Sequence, residues 1–161
     1  MQDNTWLCYV EPNARLIILG EHYEVLARLD FTPADPQISL SHLYIVSDKD
    51  DLVFGLLVDE YECPSSARAT FLRQVTCEAK LPRFGSAMPD SIVHNGQRYY
   101  GPAQYASVTY QIDGSINNAG CVKLICIARY YNTITAFSFD QGVNWLTMRA
   151  EKIPTTRVRR A

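Results

Sequence analysis

Five cysteines, three histidines and one short run of acids are the residues of this 161-residue chain best suited to do chemistry. Asp59, Glu60 and Glu62 directly precede Cys63. That stretch offers a thiol nucleophile with carboxylates beside it, or two carboxylates for glycosidic acid–base work. A nucleophilic thiol needs a nearby base and a lowered pKa. The acidic neighbours of Cys63 are expected to raise its pKa, so a small hydrolase using Cys63 or a histidine with Asp59, Glu60 and Glu62 is an alternative and not the leading reading. His22 and His42 open extended segments and His94 precede the turn Asn95-Gly96. His22 and His94 read as exposed turn residues and His42 as the opening of a strand, and no metal set or catalytic residue is assigned. Cys8, Cys63, Cys77, Cys121 and Cys126 are odd in number and form no C-x-x-C pair, which argues against both a disulfide framework and a zinc ribbon. The chain also lacks the G-x-S-x-G, H-E-x-x-H, phosphate-loop and dinucleotide fingerprints, so no cofactor is expected.

Aromatic residues offer a different function. Tyrosines concentrate in the second half, and Tyr99, Tyr100, Tyr105 and Tyr131, together with Trp145, are the candidate ligand- or partner-binding residues. On neighbouring strands, outward tyrosines make a rigid amphipathic surface suited to a peptide, sugar or base. A net charge of −2 gives no basic field, so nucleic acid is not an expected partner. No apolar run approaches the roughly 20 residues of a helical membrane span, and no membrane partner is expected. The first residues carry no basic, apolar leader, and with unpaired thiols this predicts a cytoplasmic protein. The basic end, Arg157-Val158-Arg159-Arg160, is expected to be a solvated terminus.

The elements that must position these groups are strands. Tyr23, Val25, Ala27, Leu29 and Phe31 alternate with Glu24, Arg28 and Asp30, and Leu26 is the one apolar residue out of phase. A two-residue period places the first set on one face of a half-buried strand. Phe71 to Leu81 and Ala106 to Ile112 alternate similarly, while Cys121 to Tyr131 is apolar on nearly both faces, as a central strand would be. Ser47 to Asp51 reads as a solvated hairpin tip between His42–Val46 and Leu52–Val58. Pro64-Ser65-Ser66 predicts a brief turn or helix that runs into the strand at Phe71.

Two places share a grammar: Leu19-Gly20-Glu21-His22-Tyr23 and Asn95-Gly96-Gln97-Arg98-Tyr99, each an apolar segment, a glycine turn, two polar residues and a tyrosine. They suggest a first β unit over 1–81, a linker or crossing loop over 82–91 and a second β unit over 92–161, with one continuous domain as the alternative. The expected fold is all-β and mostly antiparallel: a partly closed barrel, or two small barrel-like repeats, with at most one short helix. The leading functional expectation is a non-enzymatic binding or scaffold module whose contact surface is the tyrosine-rich second half. A barrel holding a small apolar ligand is the first alternative. Exposed edge strands would also permit a homodimer.

Overall fold

A computed structural model describes residues 3–33, 40–75, 91–112, 119–127, 133–138 and 146–161. The described residues form eleven strands: β1 (Arg15–Ile18), β2 (Glu21–Pro33), β3 (Ser41–Ser47), β4 (Val53–Asp59), β5 (Arg68–Gln74), β6 (Ser91–His94), β7 (Gln97–Ile112), β8 (Ala119–Ile127), β9 (Thr133–Ser138), β10 (Leu146–Ile153) and β11 (Val158–Arg160). All pair antiparallel in a single sheet of order β11-β1-β2-β3-β4-β5-β10-β9-β8-β7-β6. The helical content among the described residues is short 3-10 turns, at Thr5–Tyr9, Pro64–Ser66 and Thr155–Arg157. The all-β expectation therefore holds, and none of the helices is long and apolar enough to cross a membrane.

The expected partly closed barrel takes the form of one continuous sheet that is not closed end to end. Its outermost strands, β11 and β6, are not paired with each other, so the eleven strands do not close end to end. The sheet nevertheless curls: the C-terminal half of β2 pairs with β7 from Leu29↔Ile112 to Pro33↔Val108. Across the inside of the curl Phe31 of β2 stacks on Phe137 of β9, with ring centroids 5.6 Å apart. The strand order is palindromic, since β1 to β5 run from one side to the middle and β6 to β10 run from the other side to the middle. The two opening hairpins match as well. Leu19-Gly20 and Asn95-Gly96 all have positive φ, the backbone of a two-residue type I′ turn.

Two apolar clusters occupy the two faces of the sheet. Alternate residues of β3 and β4 are divided between them: Tyr44, Val46, Leu56 and Val58 belong to one, Leu43 and Leu57 to the other. This explains why β3 is buried along almost its whole length. The first cluster is covered by the N-terminal 3-10 turn, which contributes Leu7 and Cys8, both fully buried. The second lies inside the curl with Phe31, Leu72 and Phe137. Gly55 lets Leu43 and Leu72 of the second cluster close over β4, because a Cβ there would stand 3.1 Å from that of Leu72 and 3.3 Å from Leu43 Cδ1.

Strand β2 departs from the expected single-face pattern. Val25 pairs with Val46 and Ala27 with Ile45, so Leu26 is an extra residue in a β-bulge. Tyr23 and Val25 consequently pack into the first cluster, whereas Leu29 and Phe31 pack into the second. The out-of-phase Leu26 marks the place where the strand changes face, and it stands exposed.

The chain's basic end is likewise corrected from a solvated terminus to an edge strand. Residues 158–160 pair with β1, Val158 is buried, and the Arg160 guanidinium lies 5.1 Å from the Trp6 ring centroid. The outer edge of β1 needs partners for its main-chain groups, and the terminal segment supplies them.

Candidate functional site

The bulge at Leu26 has a chemical consequence. After it, Arg28 and Asp30 face the side of the sheet that carries Tyr44 and His42, and Asp30 stands directly across from His42 in the β2–β3 ladder. Were Leu26 instead paired with Ile45 in an unbulged ladder, Leu29 would occupy that place. His42 Nδ1 is 2.5 Å from Asp30 Oδ1, and Nε2 is 2.5 Å from Oε2 of Glu60, the residue just after β4. The Arg28 Nε–H donates to the same Asp30 oxygen at 3.0 Å. Glu60 is held in place through its own main chain, whose N–H donates to the Leu40 carbonyl.

Burial opposes charge on His42, but the hydrogen bonds to Asp30 and Glu60, reinforced by the two negative charges, raise the imidazole pKa above its ordinary value. Burial likewise pushes the Asp30 carboxyl up, yet hydrogen bonds from His42 and Arg28 together with their charges hold it below the usual carboxylate range. The result is an Arg28–Asp30–His42–Glu60 chain of alternating charge.

Two further side chains attach the N-terminal turn to this network. The Tyr44 hydroxyl donates to the Leu7 carbonyl at 2.5 Å and accepts from the Val10 N–H at 3.3 Å. The Cys8 thiol is fully buried and, among the described residues, reaches the Pro64 carbonyl at 3.9 Å; burial, with the charge of Glu60 second, pushes its pKa up to about 11. Cys8, His42 and Glu60 each bring a donor atom within 4.8 Å of the other two, and they are the residues of this region able to hold a metal ion.

The acids singled out in the sequence take separate roles. Glu60 serves His42, Asp59 accepts from the Ser41 hydroxyl at 2.6 Å, and Glu62 is an exposed residue with φ of 67°. Cys63 is exposed, with its sulfur 3.1 Å from Ser65 Oγ and 3.4 Å from Ser66 Oγ. Those hydrogen bonds lower its pKa, the reverse of the rise expected from its acidic neighbours. His22 is exposed at the start of β2, where it helps line an open cleft of about 330 Å³ with Arg15, Glu24, Asp48 and Lys49. His94 closes β6 opposite Gln97.

Of the aromatic candidates, Tyr99 is 4% exposed and packs inward, whereas Tyr100 is 62% exposed. Tyr105 lies on β7 opposite Leu124. Tyr131 and Trp145 fall outside the described residues. Sequence reasoning missed the convergence of Cys8, Arg28 and Asp30 on His42, and the signal that could have found it was Leu26. No family model, curated protein or solved structure matches the chain.

Proposed function

We propose that this protein is a non-enzymatic binding module made of two copies of one β unit, and that its contact surface is Tyr100 with the outer edge of β6. The palindromic strand order and the matched type I′ hairpins support the duplication. The observation that carries the contact surface is the position of Tyr100, exposed and directly across from Ser91 of β6. An exposed tyrosine beside a sheet edge combines a large apolar ring with main-chain hydrogen-bonding groups, the pairing used when an extended peptide adds as a further strand.

The hairpin geometry identifies the groups involved. A two-residue turn makes His94 and Gln97 the closing hydrogen-bonded pair, and the alternation then makes Ile92–Tyr99 hydrogen-bonded too. The main-chain groups of Ser91 and Val93 therefore point away from β7. Strand β6, Ser-Ile-Val-His, carries none of the lysines or prolines that commonly guard an edge. A network that closes on itself around His42 fits the same reading, because both ring nitrogens are engaged by carboxylates.

The test is selection of displayed extended peptides on the immobilised full chain, followed by affinity measurement with two variants. Val93→Pro removes one outward N–H and leaves the β6–β7 pairs intact; Tyr100→Ala removes the ring. Each should weaken the selected peptides by about ten-fold or more, as losing a hot-spot contact does, without lowering Tm. Unchanged affinity in both variants would remove this edge from consideration.

A further inference from the structure

We propose that Cys8, His42 and Glu60 form a binding site for one thiophilic divalent cation of the zinc class. The three side chains come from separate segments, the N-terminal 3-10 turn, β3 and the residue after β4, and their donor atoms converge within 4.8 Å. A sulfur, an imidazole nitrogen and a carboxylate oxygen together suit zinc better than the all-oxygen shells of calcium or magnesium.

Three observations beyond that convergence support the site. His42 Nε2 faces Glu60 while Nδ1 faces Asp30, so the ring presents one nitrogen to the cation and keeps the other on a carboxylate. This is the outer-shell arrangement that fixes the tautomer and orientation of a ligating histidine. Secondly, among the described residues the hydrogen-bond partner of the buried Cys8 thiol is the Pro64 carbonyl at a long 3.9 Å, and coordination would give the sulfur a stronger partner than that. Thirdly, the charges balance. Binding displaces the Cys8 thiol proton and the proton between His42 and Glu60, both released to solvent, and a dication replaces two protons. With Arg28 and Asp30 included, the set is formally neutral before and after.

The rearrangement is on the order of 1 Å, for the sulfur within 4.8 Å of the other two donors and for the carboxylate. At tetrahedral bond lengths of about 2.0 Å the nitrogen and oxygen ligands stand roughly 3.3 Å apart, so the Glu60 carboxylate withdraws from its 2.5 Å contact by less than about 1 Å. The fourth position falls to water or the Pro64 carbonyl. Bound there, the cation would fasten the N-terminal turn to β3 and β4, at a place removed from the β6 edge and independent of what that edge binds.

The experiment is cobalt(II) titration of the chelator-treated full chain, followed by absorbance. One equivalent should produce a thiolate-to-cobalt charge-transfer band and the visible bands of tetrahedral cobalt, and zinc should displace both. The band should persist in Cys63→Ser and vanish in Cys8→Ser. Glu60→Gln, which keeps a hydrogen-bonding group beside His42, should weaken cobalt by at least about ten-fold, and Asp30→Asn by about 10–100-fold. Absence of a thiolate band in the native chain, its survival in Cys8→Ser, or unchanged affinity in Glu60→Gln would overturn the proposal. Should Cys8→Ser fail to fold, alkylation of Cys8 in the native chain at a urea concentration that opens the N-terminal turn, with and without cobalt, decides: protection by cobalt supports the site, and equal labelling rejects it.

Discussion

Strand β2 has two halves that differ in what they present to the same face of the sheet. Before Leu26 that face receives Tyr23 and Val25, which pack into the apolar cluster against Phe54, Phe71 and Val46. After Leu26 it receives Arg28 and Asp30, which meet His42 and Glu60. A single extra residue converts an apolar lining into a charged network, and it sends Leu29 and Phe31 to the opposite cluster at the same step. The comparison teaches that chemistry here depends on register: the same residues on an unbulged strand would make no site.

Deleting Leu26 together with Ala27 should break this arrangement most severely, because removing Leu26 alone would leave Ala27 across from Ile45 and Asp30 across from His42. The unbulged strand would turn Arg28 and Asp30 into the interior of the curl and Leu29 and Phe31 out of it. Burying charges without partners costs several kcal/mol each, comparable to the whole stability of a domain this size, on the order of 5–15 kcal/mol. Thermal unfolding followed by near-ultraviolet circular dichroism should lose its cooperative transition. A variant that unfolds cooperatively near the native Tm would show that the bulge does not set the register.

Tyr44 probes how the N-terminal turn is seated on that face. Tyr44→Phe keeps the ring but leaves the Leu7 carbonyl and the Val10 N–H without their partner. The expected loss is about 1–3 kcal/mol, the usual cost of orphaned buried polar groups, read from urea unfolding. A change below about 0.3 kcal/mol would mean that packing alone seats the turn.

The two thiols flanking Pro64 sharpen the contrast in environment. A lowered pKa places the thiolate of Cys63 at lower pH, so its alkylation should reach half-maximal rate below pH 9.0. Cys8, buried and raised to about 11, should remain unlabelled in the folded protein until far more alkaline conditions. At pH 7.5 mass spectrometry of peptides should find Cys63 modified at least about ten-fold faster than Cys8. Comparable rates would contradict the burial of the N-terminal turn.

Much of the framework was readable before any coordinates. Glycine at 20 and 96 marked the two hairpin turns, and Ser47 to Asp51 marked the β3–β4 tip, where the Asp48 carboxylate accepts from the Asp50 and Leu52 N–H groups. These signals are local, and local chemistry decides them. The face switch in β2 was not readable, because a two-residue rhythm interrupted by one apolar residue fits both a continuous strand and a bulged one. Only the β3 partner, Val46 then Ile45, tells them apart. Tyr99 and Tyr100 illustrate the opposite case: neighbouring residues of a strand face opposite ways, so one ring is buried and its neighbour exposed. Cys8 lies 34 residues from His42, and no spacing rule connects a short 3-10 turn to the strand it covers.

A double-mutant cycle between Asp30 and His42, using Asp30→Asn and His42→Gln in chelator-treated protein, tests most directly whether the bulge brings these two together. The predicted coupling is at least about 1 kcal/mol, within the range for residues sharing one buried network. Additivity within about 0.3 kcal/mol would contradict the account, since it would place Asp30 and His42 on different faces of the sheet.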